Sequence, residues 1–237
     1  MTLPKDNPNT HEVTKKFDEP IRQNIATGVI TWDEVSGYVK TKELYKLRRS
    51  QAETDKYHKH KENLKKKHIT ILQYILDRLQ WDEKEIDQLN DLKYATDQQR
   101  LHAIFTKPEL YKNSINDFPY YYESNVLHLL IWSKIRLPIY LNDTTDIDMF
   151  DTKNNSFPDM NPACKAVIDK FLGQTLHDKY GLTPEKDYLW FVNYSNLQSI
   201  KAISHVHVLI RLKDEAEKEK MSKIFVTEGG EFKPVSH

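Results

Sequence analysis

The stretch ISHVHVLIRL, residues 203–212, decides how the rest of the chain is read. It lacks Gly and Pro and is dominated by branched and apolar residues, the composition of a buried strand. Successive strand side chains point to opposite faces, so Val206, Val208 and Ile210 share one face and His205 and His207 the other. Two imidazoles on a strand made for burial need a reason. At i and i+2 their side chains lie under ~7 Å apart, close enough to reach one ligand.

Upstream, DYLWFVN (187–193) reads as a second strand, joined to the first by the short connection YSNLQSIKA (194–202). Before it, Asn161 and Pro162 form an N-cap and an N1 proline for a helix that places Val167, Ile168, Phe171, Leu172 and Leu176 on one face and stops at Gly181. VLHLLIWSKIRLP (126–138) reads as a further strand ended by Pro138, with His128 on the face of Val126, Leu130 and Trp132. NDFPYYYESN (116–125) before it is a turn with an aromatic cluster, and residues 139–160 form an irregular acidic loop. The strands at 126–133, 187–193 and 203–212 are expected in one sheet with the helix near 162–180 on one face.

The N-terminal half carries the helical period. Thr31 stands three residues before Glu34, the capping-box spacing, and marks a helix start. From Lys42 to about His68 the sequence predicts one long charged helix without Gly or Pro. Eleven Lys/Arg against four Asp/Glu between Lys40 and Lys67 leave a local charge of +7. ITILQYILDRLQW (69–81) sets Leu72, Ile75, Leu76 and Leu79 on one helical stripe. The polar segment 82–110 is read as one or two further helices, and residues 1–24, polar with three prolines, as a mobile tail. The expected fold is α+β, a helical N-terminal half packed with a small mixed or antiparallel sheet that carries the histidine strands. Residues 25–237 are read as a single domain, helical over 25–110 and sheet-containing over 111–237.

Lys+Arg and Asp+Glu are both 35, so zero net charge argues against nucleic acid or an anionic membrane as partner. A single cysteine, Cys164, excludes an intrachain disulfide, fits a reducing compartment, and is assigned a structural role. With no apolar run of membrane-span or signal-peptide type, the expected address is the cytoplasm, with the nucleus as second choice.

NDFPYYYESNVLHLLIWSK (116–134) and LWFVNYSNLQSIKAISHVHVLI (189–210) resemble the two signature blocks of the fungal N-acetylglucosamine-induced protein family. The first block there runs Asn-Asp-aromatic-Pro-Tyr into a His-bearing strand ending Trp-(Ser/Thr)-Lys; the second ends in His-x-His-Val. The helical half fits the family's less distinctive N-terminal pattern, so the resemblance covers most of residues 30–212. Many members carry Glu just before the paired histidines, where this chain has Ser204. The resemblance implies a place in amino-sugar use. HVHVL is also similar to the histidine-triad strand, but Leu209 stands at the third position.

The candidate site is therefore His128, His205 and His207, supported by Asn116, Asp117, Asn193, Ser199, Lys201 and Lys134. If the histidine strands are neighbours, three imidazoles can meet and hold a divalent metal, since three His ligands with an open position suit catalytic zinc. They can equally act as general acid/base, or be core groups hydrogen-bonded to backbone or to the tyrosines. His207, deeper in its strand, is expected to serve a site more than His205. Ser199, Lys201 and Lys134 offer donors and charge for an amino-sugar phosphate or a nucleotide sugar, with Asp117 as a turn cap in preference to an acceptor of a His proton. The alternative is a non-catalytic regulator that binds a protein partner or an acidic surface through the basic helical half, residues 40–67.

Overall fold

In the computed structural model, which describes residues 25–141, 157–226 and 232–236, Thr31 caps helix α1 (Trp32–Lys40). Its hydroxyl accepts the Glu34 N–H at 3.3 Å and the Glu34 carboxylate accepts the Thr31 N–H at 2.8 Å, the reciprocal pair expected of the spacing. The expected tail at 1–24 and most of the acidic loop, 142–156, lie outside the described residues.

The single long helix expected from 42 to 68 is corrected. Lys42 takes a left-handed φ of 63°, a 3-10 turn covers Leu44–Lys46, and helix α2 starts only at Gln51 and runs to Lys66. Ser50 is extended and accepts the Glu53 N–H at 3.2 Å, so a local cap outweighs the helix propensity of the residues before it. Arg49, one residue earlier, lies in extended chain bridged to Ile25. Helix α3 (Ile71–Leu79) buries Ile75, Leu76 and Leu79 of the stripe read from the sequence, with Leu72 partly buried beside them. The 82–110 segment holds α4 (Glu83–Gln88), prolonged by a π-turn at Leu89–Lys93, and α5 (Asp97–Leu101).

Four strands follow: β1 (Tyr111–Ile115), β2 (Val126–Ser133), β3 (Tyr188–Phe191) and β4 (Ser204–Arg211). They pair in the order β1-β2-β4-β3, every pair antiparallel. The expected strands share this sheet; β1 was not anticipated, because YKNSI is short and polar and only half-buried at the sheet edge. Helix α6 (Pro162–Leu176) begins as predicted, with the Asn161 side-chain oxygen accepting the Ala163 N–H at 3.0 Å. Gly181, at φ +68°, ends the turns that follow it. A last helix, α7 (Glu215–Val226), buries only Met221 and Phe225, too few apolar positions to announce itself.

Period-two alternation gives the sheet two different faces. Leu127, Leu129 and Ile131 of β2 and Val206, Val208 and Ile210 of β4 pack against Ile168, Phe171, Leu172 and Leu176 of α6. Ile131, Val206 and Ile168 are fully buried, each stabilising the fold by about 1.5–3 kcal/mol. The opposite face is divided. Val126, Leu209, Leu189 and Phe191 pack against Ile30, Trp32 and Val35 at one end, and Leu130 and Trp132 pack against Ile75, Leu76 and Leu79 of α3 at the other. Between these two apolar patches lie the histidines.

Candidate functional site

The register of β2 against β4 sets His128 opposite Leu209, Leu130 opposite His207 and Trp132 opposite His205. His128 and His207 are therefore diagonal neighbours on one face, and His128 Nε2 meets His207 Nδ1 at 2.9 Å. Asn193, just past β3, closes the other side of His207: its Nδ2 lies 3.1 Å from His207 Nε2 and 2.9 Å from the Tyr120 hydroxyl. An amide N–H only donates, so His207 Nε2 accepts and its proton sits on Nδ1, from which it is donated to His128 Nε2. Asn116 Nδ2 lies 3.3 Å from both ring nitrogens of His128. Phe191 stacks on His207 with ring centroids 4.8 Å apart and planes 2° from parallel.

These imidazoles are kept neutral. Burial, then the charge of Arg49 and the neighbouring His205, push His128 down to about 3. Burial lowers His207 well below its ordinary value, reinforced by His128, His205 and Arg49. Burial also lowers His205, against the opposing pull of its bond to the Ile203 carbonyl. All three are shifted away from the neutrality that a general acid or base needs.

The divalent-metal arrangement expected of three imidazoles does not form. Among the described residues no group of three or more His, Cys, Asp or Glu could hold a metal ion. The reason is directional: His128 and His207 aim nitrogens at each other, and the second nitrogen of His207 faces Asn193. His205 differs. Its Nδ1 donates to the Ile203 carbonyl at 3.0 Å, which leaves Nε2 as a bare lone pair. The uncommitted nitrogen thus belongs to His205 rather than to His207, because the diagonal partner of His207 consumes what strand depth was expected to preserve.

A cavity of about 110 Å³ opens between this face and helices α2 and α3. Of the residues singled out in the sequence, His205, His207, Asn193, Asn116, Asp117 and Ser199 line it. His128 is behind the lining, bound to His207. Lys134 points elsewhere: it is buried, pairs with Glu85 at 2.7 Å and sits over the Trp81 ring. Lys201 is exposed and outside the lining. Asp117 is not the turn cap it was expected to be. Asn116 Oδ1 accepts the Phe118 N–H at 3.0 Å and makes the turn, while Asp117 pairs with Arg78. Trp190 lies on the α6 side, its N–H donated to Asp169 at 2.8 Å.

Sequence reasoning missed the cations and most of the aromatic wall. Arg49, Arg78, Tyr57, His60, Tyr74 and Tyr120 all line the cavity. Arg49 donates its Nε–H to the Phe118 carbonyl at 2.9 Å and lies over the rings of Tyr57, at 4.6 Å, and Tyr120, at 5.6 Å. The signal that could have found it is Ser50-x-x-Glu53: reading this as a helix start frees Arg49 from the helix and puts it on a loop.

Comparison with known proteins follows the same boundaries. The model of a family described as protein of unknown function (DUF3605) matches residues 31–211, a span that contains every cavity residue named above. N-acetylglucosamine-induced protein 1 of Candida albicans is 33% identical over 191 residues, 78% of this chain and 69% of that protein. An uncharacterized protein of Saccharomyces cerevisiae is 31% identical over 179 residues, 76% of this chain and 77% of its own length. The crystal structure of HTC1 is similar with a TM-score of 0.62 and 29% identity, across 87% of this chain and 99% of that one.

Proposed function

The chain belongs to the fungal N-acetylglucosamine-induced protein family, matched as DUF3605, and on that premise we propose that it binds a small phosphorylated amino sugar in the histidine-lined cavity. The name of the Candida relative gives a loose link to amino-sugar metabolism. The observation that carries the finer reading is the convergence, in one cavity, of six residues marked in the sequence with Arg49 and Arg78. Guanidinium groups suit a phosphate, aromatic rings suit a sugar face, and neutral imidazole and amide groups suit hydroxyls.

Size and charge narrow the proposal. The cavity is small, about 110 Å³. One end of a phosphorylated hexosamine fits; a whole nucleotide sugar cannot be enclosed. The low proton affinity of the imidazoles favours hydrogen bonding over proton transfer at neutral pH, so binding is preferred to acid/base turnover. The proposed compartment is the cytoplasm, in keeping with Cys164 as a buried free thiol; among the described residues no helix is long and apolar enough to cross a membrane.

A second reading, a protein partner on α2, draws support from the exposure of Lys59, Lys61, Lys65 and Lys66, on a helix that buries only Thr54 and Leu64. The deciding experiment is a thermal-shift series with N-acetylglucosamine, glucosamine 6-phosphate, N-acetylglucosamine 6-phosphate and UDP-N-acetylglucosamine. Ligand at 100 times its Kd stabilises the folded state by about 2.7 kcal/mol. A shift by the monophosphates that exceeds that of the nucleotide sugar is expected; no shift with any of the four would end the reading.

A further inference from the structure

We propose that the ligand enters sugar-first: its 3- or 4-hydroxyl faces His205 Nε2 and Asn193 Oδ1 on the sheet, while its phosphate stays at the mouth against Arg49. This rests on the ligand reading above and adds the direction in which the ligand lies.

The inner wall is a surface of acceptors. His205 is 8% exposed and donates Nδ1–H to the Ile203 carbonyl, so the nitrogen it has left can only accept. Asn193 is 4% exposed, and its Nδ2 serves both the Tyr120 hydroxyl and His207 Nε2. Its Oδ1 is buried without a hydrogen-bond partner. Both residues line the cavity, and the Asn193 oxygen, a buried acceptor without a donor, is a standing cost that a ligand can remove. An ionised phosphate cannot do so. It is itself acceptor-only and would bring its charge against two lone pairs with no cation on that wall. A hydroxyl does both jobs: it donates to one of these acceptors and accepts from Tyr120, whose oxygen already takes the Asn193 N–H and whose own proton is left to give.

The mouth has the opposite character. Arg78 is exposed and its charge is met by Asp117. Arg49 is half-buried, spends only Nε on the Phe118 carbonyl, and has no carboxylate partner among the described residues. Its terminal nitrogens are the uncompensated donors of the cavity, held in place by the rings of Tyr57 and Tyr120. A bidentate contact to phosphate is the interaction such a group is shaped for.

Isothermal titration of the full chain tests the direction, using N-acetylglucosamine 6-phosphate, N-acetylglucosamine, inorganic phosphate, and the 3-deoxy and 4-deoxy forms of the sugar phosphate. Wild type should prefer the phosphorylated sugar to the plain sugar tenfold or more, and bind inorganic phosphate worst. Arg49→Gln should erase that preference and Arg49→Lys restore part of it. One deoxy position should cost wild type tenfold or more, and His205→Phe, which keeps the ring packing on Trp132 but lacks the acceptor, should erase that cost alone. The deoxy series in wild type stands even if His205→Phe fails to fold: no penalty at either position overturns the proposal. So does inorganic phosphate binding as tightly as the sugar phosphate, or a phosphate preference lost in His205→Phe and kept in Arg49→Gln. Failure of every sugar phosphate to bind would instead overturn the ligand reading, and this direction with it.

Discussion

Lowering the pH from about 7.5 to about 5 should destabilise this protein through its neutral histidines. In the denatured chain His128 takes a proton near its ordinary 6.5; in the folded chain it does so only near about 3. The denatured state therefore binds more protons across that interval, and stability falls as pH falls. At pH ~5 one such group costs about 2 kcal/mol, from RT times the logarithm of the proton binding polynomial. His205 and His207 shift in the same direction and add to this loss, against a net stability of about 5–15 kcal/mol for an ordinary domain. Glu34 and Glu43 are held below their ordinary 4.5, Glu34 by the Thr31 bonds and Glu43, against the upward push of its burial, by Lys46 and Thr41, so what they add is lost only at lower pH. Urea unfolding at half-unit pH steps measures the slope, expected to correspond to between one and three protons. His128→Gln should lower it by one. A stability flat to within ~1 kcal/mol over this range, or a slope unchanged in His128→Gln, would refute the assignment of these groups as neutral and buried.

Two further outcomes follow from the hydrogen-bond pattern. At neutral pH His128→Ala should cost more than His205→Ala in urea unfolding, by ~1–3 kcal/mol, because it strands the His207 N–H whereas His205 releases only the Ile203 carbonyl; equal losses would make His205 as structural as His128. Ser50→Ala should cost ~1 kcal/mol by loss of the cap on α2, and a loss near zero in the same assay would show that packing rather than the cap starts this helix.

Much of the fold was legible because its signals are local. Thr31 with Glu34, Asn161 with Pro162, and the stripe of Ile75, Leu76 and Leu79 each act within a turn or two of helix, and each is where the sequence placed it. The alternation in β2 and β4 assigned every histidine to its face, since the strand period allows no other. Even Arg49 had a local signal, the Ser50 and Glu53 spacing, masked by a run of strong helix formers. What no local pattern contained was the pairing of groups remote along the chain. His128 and His207 are 79 residues apart and meet because antiparallel register makes them diagonal neighbours. That contact, with Asn193 closing the other side, spends the nitrogens expected for a metal and leaves the free lone pair on His205. Lys134 and Lys201 looked like ligand cations by type, yet β2 turns Lys134 toward Glu85 while Arg49 and Arg78 reach the cavity from the helical half. Residue type and period determined which side chains are polar on a buried face; only the packing of that face against α2 and α3 decided which of them meet, because hydrogen-bond direction depends on partners that the chain brings together from afar.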